Sequence, residues 1–117
     1  MDGTGSARLR AVLFTDVVGS SDLRSRLGDA AADRLRRDHD QLTAAAIAAH
    51  HGVVLRWTGD GVKASFPGAS AAVAAAVDLQ RAVARYPRSV DAVAPFQIRI
   101  GVAVGEVRAV ERVAIQG

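Results

Sequence analysis

Leu13-Phe14-Thr15-Asp16-Val17-Val18-Gly19-Ser20-Ser21 decides how the rest of this 117-residue chain is read. The run Ala11-Val12-Leu13-Phe14 is continuously apolar, the pattern of a strand that meets other elements on both faces. Asp16 then places a carboxylate at the edge of a core, where it must be paired, solvated or bound to a cation. Gly19 lets the backbone approach a ligand closely, and Ser20 or Ser21 offers a cap for a helix starting near Asp22. Amides at a helix start favour anions, and an Asp just before them favours a cation. Together these residues describe a seat for a metal–phosphate complex. A plain strand followed by an ordinary capped helix is the alternative.

The composition fits one domain with a real core. A chain of this length buries roughly 60–70% of its unfolded surface. Half the residues are hydrophobic, but aromatics are few and alanine is abundant, so close helix–sheet contacts replace large side chains. The net charge of +3 is carried almost wholly by scattered arginines, without the clustered basic stripe of a nucleic-acid binder. No apolar run approaches the ~20 residues needed to cross a bilayer, and no signal peptide precedes the first strand, which predicts a cytoplasmic protein without membrane insertion. The absence of cysteine excludes disulfides and thiolate metal sites.

Outward from the opening stretch, residues 1–7 are rich in Gly, Ser and Thr and predict a flexible N-terminus, with the domain proper over 8–117. A strand over about Arg10–Thr15 leads to a short helix, about Ser21–Leu27, stopped by Gly28. A longer helix follows over about Ala30–His50, with Leu35, Leu42, Ala46 and Ala49 at helical spacing and Gly52 ending it. Val53–Trp57 and Val62–Phe66 read as strands joined by Thr58-Gly59-Asp60-Gly61, a hairpin signal because Asp-Gly tolerates positive φ. Another helix, about Ser70–Arg85, presents Val73, Val77, Gln80 and Val83 along one side and ends before Pro87. Phe96, Ile98, Ile100, Val102 and Val104 alternate along a further strand. Gly105-Glu106 predicts a turn, with a fifth strand over Val107–Val113. The order contains a β-α-α-β-β-α-β core of the ferredoxin-like, α+β type, with helices on one face of the sheet. The other face is left for a partner to cover.

The two carboxylates gain meaning from this order. A right-handed crossover makes the first two strands parallel, so both end at one edge of the sheet. Asp16 lies past the end of the first and Asp60 past the end of the second, and they converge if those strands are neighbours. Close carboxylates repel unless a divalent cation joins them, and Mg²⁺ combines one or two carboxylates with substrate phosphates. Taken singly, each has a plainer reading: Asp60 as a turn residue, Asp16 as a local cap. His39, His50 and His51 form no convincing metal set. Trp57 reads as a packing residue, and Arg34, Arg36 and Arg37 as a solvated helix face.

Three stretches carry a family resemblance: Phe14-Thr15-Asp16-Val17-Val18-Gly19-Ser20-Ser21, Arg56-Trp57-Thr58-Gly59-Asp60-Gly61, and Ile98 through Val107. Together they resemble the class III nucleotidyl cyclase catalytic domain of bacterial type. The resemblance implies that Asp16, Asp60 and the Val17 carbonyl hold two Mg²⁺ or Mn²⁺ ions, and that amides of Val18, Gly19 and Ser20 bind the triphosphate. It implies conversion of ATP, or alternatively GTP, to a 3′,5′-cyclic monophosphate and pyrophosphate. The family works as a dimer with shared active sites, so the resemblance also implies a homodimer or a heterodimer with another cyclase domain.

Three departures accompany the likeness. Arg56 stands where a purine-reading Lys is common, and a forked guanidinium is not equivalent to an ammonium. Ala103-Val104 stands where His-Thr is frequent. The family's further segment, with its second base-selecting residue and its transition-state Asn and Arg, has no counterpart before Gly117, and Glu111 aligns too loosely to stand for any of them. Losing one transition-state donor commonly costs ~10²–10³ in rate, which predicts feeble turnover by 117 residues alone. The alternative function is a non-catalytic, cyclase-like module that dimerises or binds nucleotide. A phosphoacceptor receiver domain fits poorly, because receivers alternate strand and helix whereas this chain has a hairpin around Asp60.

Overall fold

Four strands and three helices follow one another as β1 (Arg8–Val17), α1 (Ser20–Leu27), α2 (Asp29–Ala49), β2 (Val53–Trp57), β3 (Gly61–Phe66), α3 (Ala69–Arg85) and β4 (Ile98–Val107). A single 3-10 turn, Tyr86–Arg88, precedes β4. The structure is a computed structural model that describes residues 8–107. The expected flexible N-terminus (1–7), the fifth strand toward Val113 and Glu111 lie outside the described residues.

The α+β class and the β-α-α-β-β-α-β order are those expected. The sheet order is β2-β3-β1-β4, with every neighbouring pair antiparallel. β1 and β2 therefore do run in the same sense, but they are not adjacent, because β3 lies between them. The turn expected at Gly105-Glu106 is also corrected: both residues continue β4 and pair with Arg10 and Leu9. A central β1 ten residues long offers hydrogen-bonding partners all along that edge, and the pairing overrides the local turn preference of Gly.

Opposite residues in an antiparallel pair share a face. Ala11, Leu13 and Thr15 of β1 thus point with Phe66, Ala64 and Val62 of β3 toward the helices, and all six are buried. Phe96, Ile98 and Ile100 carry the expected alternation into the core, whereas Val102 and Val104 are exposed. On α3 the buried stripe is Ala72, Ala75, Leu79 and Val83, so that of the expected side Val73, Val77, Gln80 and Val83 only Val83 is buried. Two alanines at most 1% exposed let α3 lie close on the sheet, and Val73 and Val77 fall to its flank. Gln80 instead donates from its side chain to the Ile98 carbonyl at 3.1 Å. After α2 the left-handed conformation falls on His51 (φ 63), while the Gly52 amide returns to the Ile47 carbonyl at 2.9 Å.

α2 buries one polar ring among its apolar contacts. His39 is 1% exposed and meets Phe96 edge-on, with ring centroids 6.0 Å apart. Its Nδ1 lies 2.8 Å from Asp40 Oδ1. A carboxylate only accepts, so Nδ1 carries the proton and the buried Nε2, which has no partner, is the bare nitrogen. Burial lowers the His39 pKa below its ordinary value; Asp40 and, more weakly, Asp60 oppose this, while Arg36 adds to it. Below about pH 6.5 the unfolded chain then binds a proton that the folded chain refuses, so stability falls as pH drops through that value. The slope from this one group reaches at most about 1.4 kcal/mol per pH unit. Thermal unfolding of the parent chain and of His39→Gln between pH 7.5 and 5 should show the steeper loss in the parent; parallel curves would refute the assignment.

Candidate active site

The site forms where β1 gives way to α1. Val17 ends β1 and Val18 leaves it, with their amides donated to the Asp60 carbonyl (2.9 Å) and the Gln97 carbonyl (2.8 Å). Gly19 then turns the chain in the left-handed region, φ 61 and ψ 39, where a side chain would be strained. α1 starts directly at Ser20. The expected serine cap is not made: Gly19 occupies the N-cap, and the Ser20 hydroxyl donates to Asp60 Oδ2 at 3.3 Å. Ser20 is therefore committed to the carboxylate across the site.

Asp60 arrives from the β2–β3 hairpin, closed by donation from the Thr58 amide to the Gly61 carbonyl at 2.9 Å. No residue of this hairpin has positive φ, so the Asp-Gly pair does not act there through conformational freedom. Gly61 is required for another reason. It pairs with Asp16 on β1, and a Cβ at position 61 would overlap the Thr15 carbonyl oxygen. The missing side chain seats the hairpin directly on β1. The backbones at Asp16 and Asp60 are thus brought together at one end of the sheet through the β1–β3 pairing, not through the β1–β2 adjacency expected from the sequence. Asp16 itself lies within β1, which stays paired as far as Val17.

Asp16 accepts from Arg99 Nε at 3.3 Å, its opposite residue on β4. The side chains are 46% and 72% exposed, so solvent screens this pair to at most about 1 kcal/mol. Beside Asp60 a cavity of about 150 Å³ opens between α1, α2 and the hairpin, lined by Val17, Ser20, Leu35, Arg36, His39 and Asp60 among others.

The remaining expected site residues separate into two groups. The amides of Gly19 and Ser20 sit at the opening of α1, where helical geometry supplies no intrahelical acceptor. The Val18 amide is engaged by Gln97 and is not free for phosphate. Arg56 is exposed on the edge strand β2, opposite Lys63, and β3 lies between it and Asp16 within one chain. Trp57, expected to pack, is 40% exposed on the same strand. Two arginines gain roles the sequence does not announce: Arg99 on Asp16, and Arg36, whose guanidinium donates to the Thr58 carbonyl at 2.7 Å and to the Gly59 carbonyl. Arg36 is thus not part of a solvated face.

Among the described residues no three His, Cys, Asp or Glu side chains are grouped as a metal site. Two carboxylates with an adjacent helix start suit a hard divalent ion whose remaining ligands are water or phosphate oxygens, not a closed all-protein cage. The residues present fit Mg²⁺ or Mn²⁺.

No model of a known protein family matches the sequence. The chain is 33% identical over 100 residues to a putative adenylate cyclase of Rhizobium meliloti, a match over 86% of this chain and 17% of that protein. Among solved structures, an adenylate/guanylate cyclase/hydrolase from Silicibacter pomeroyi superposes with TM-score 0.70 and 31% identity, over 88% of this chain and 60% of that one. A bacterial light-regulated adenylyl cyclase superposes with TM-score 0.76 and 24% identity, over 87% of this chain and 56% of that one. The fold and the placement of the motifs define a cyclase-type domain. The chain belongs to the class III nucleotidyl cyclases. It spans less than a fifth of the curated relative and somewhat over half of the structural ones.

The close approach at Gly61 has a direct consequence. Gly61→Ala should lower the unfolding free energy by about 3 kcal/mol or more, since backbone cannot yield as a side-chain tip does. Gly59→Ala, with open space around its Cβ, should stay within about 1 kcal/mol of the parent. Urea unfolding of the two variants checks the contrast; similar losses would mean the β1–β3 seat is not the constraint described.

Proposed function

We propose that this domain cyclises a purine nucleoside triphosphate, ATP or GTP, to the 3′,5′-cyclic monophosphate in the presence of two Mg²⁺ or Mn²⁺ ions. The observation that supports this best is the seating of the Asp60 turn beside Asp16 by the β1–β3 pairing, next to the open start of α1. In the reaction the ribose 3′-oxygen bonds to the α-phosphorus, the bond from that phosphorus to the bridging oxygen breaks, and pyrophosphate leaves. The 3′-hydroxyl proton passes to solvent. When bound, the ions supply polarisation of the 3′-oxygen and neutralisation of phosphate charge.

Asp16, Asp60 and the Val17 carbonyl are the groups assigned to hold the ions, and Arg99 must give up Asp16 as they enter. The Gly19 and Ser20 amides orient the triphosphate at the positive end of α1. This division of labour asks mainly for positioning and charge compensation, as phosphoryl transfer does. Arg56 lies on the sheet face away from the helices, in the same row as Lys63 and the 44% exposed Phe14. From there it would serve the base in the site of a facing protomer, in a homodimer or with another cyclase domain. Among the described residues no helix is long and apolar enough to cross a membrane. Since the substrate is an intracellular nucleotide, the reading carries a cytoplasmic location with it.

A second reading, a non-catalytic nucleotide-binding module, is favoured by Arg99 already pairing with Asp16 and by β3 lying between Arg56 on β2 and Asp16 on β1. Product formation by the purified chain with Mn²⁺ and either nucleotide separates the two. Cyclic nucleotide should form, and Asp16→Ala should reduce it at least about 10²-fold. Unchanged product in that variant would refute the metal assignment. Metal-dependent nucleotide binding without product would establish the second reading.

A further inference from the structure

The hairpin that carries Asp60 is gripped from α2 by one side chain. Arg36 spends Nη2 on the Thr58 carbonyl (2.7 Å), Nη1 on the Gly59 carbonyl and Nε on Asp40 Oδ1 (2.8 Å). The same Asp40 oxygen accepts from His39 Nδ1, and His39 is held in the core against Phe96. Arg36 is only 26% exposed. On the opposite side the hairpin is fixed by the Val17 amide on the Asp60 carbonyl and by the Ser20 hydroxyl on Asp60 Oδ2. The turn is therefore held between β1 and α2, and only the α2 side depends on a side chain able to serve two successive carbonyls.

We propose that Arg36 is a positioning residue for Asp60: its fork fixes the Thr58–Gly59 backbone, and Asp40 and His39 fix the fork. The role follows from geometry. Two successive carbonyls aimed at one group require two coplanar donors, and guanidinium supplies them while also keeping an N–H for Asp40. An ammonium presents a point charge without that fixed spacing, so Lys is an incomplete replacement. Locking the residues just before a ligand carboxylate limits where the carboxylate can sit, and misplacements near 1 Å matter at reacting centres. The inference rests on the cyclase reading for what Asp60 binds, but not for what holds Asp60 in place.

Two measurements on Arg36→Ala and Arg36→Lys test it, with exposed Arg37→Ala on the same helix as the control. Native-state hydrogen exchange follows the Thr58 and Val17 amides, which close the hairpin and join it to β1. Titration with Mn²⁺ alone follows the carboxylates. Arg36→Ala should speed exchange at both amides at least tenfold while Leu13 at the sheet centre is unchanged, and should weaken Mn²⁺ binding at least fivefold. Arg36→Lys should fall between the alanine variant and the parent, and it decides the question by the same readouts if the alanine variant does not fold. Exchange within twofold of the control overturns the clamp, and faster exchange with unaltered Mn²⁺ affinity overturns the positioning role. If the parent chain takes up no Mn²⁺, the proposed function falls, and exchange alone decides whether Arg36 holds the turn.

Discussion

At the Gly61–Thr15 crossing the backbones of β3 and β1 lie so close that no side chain fits between them. Everything proposed for the site depends on that approach. It places the hairpin on β1, lets the Val17 amide reach the Asp60 carbonyl, and brings Ser20 within reach of the Asp60 carboxylate. Were the strands separated by the width of a methyl group, these contacts would open together. The Asp60 turn would then no longer be seated beside Asp16.

Around this crossing the molecule divides its work between rigid and adaptable parts. The helix-facing side of the sheet is tightly buried, with Ala11, Ala64 and Phe66 wholly inaccessible. The other side carries Arg10, Phe14, Lys63 and Arg99, with the Lys63 ammonium 5.7 Å from the Phe14 ring centroid. Such a cation–π contact at an exposed position is worth about 0.5–1 kcal/mol, enough to order a side chain but not to bar a ligand or a second subunit. The rigid side sets distances, and the polar side remains free to exchange partners.

Much of the fold was legible because its signals are local. Gly28 and Pro87 punctuate the helices, the alternation from Phe96 to Ile100 marks β4, and the element order follows. Strand order was not legible, since whether β2 or β3 lies against β1 is decided by pairing over long separations. The face of α3 was misjudged because Val outweighs Ala in hydrophobicity, whereas close packing on a sheet rewards the smaller residue. Within the site, Asp16, Gly19 and Asp60 stood out as residue types ill-suited to a plain core. Arg36 did not, because an arginine on a charged helix looks the same whether it faces water or grips a turn. Gly61 was noticed for the wrong property: conformational freedom in place of absent volume.

The central position of β1 also governs the order in which the molecule can be assembled. It is synthesised before both of its neighbours in the sheet, which come much later: Thr15 bonds across 47 residues to Val62, and Asp16 across 83 to Arg99. Contacts of such separation demand costly loop closure before they are rewarded, and they slow folding. An emerging chain would carry β1 as a long apolar strand with both edges bare until the hairpin arrives. α3, the helix that packs on β1 in the folded domain, also follows only after that hairpin.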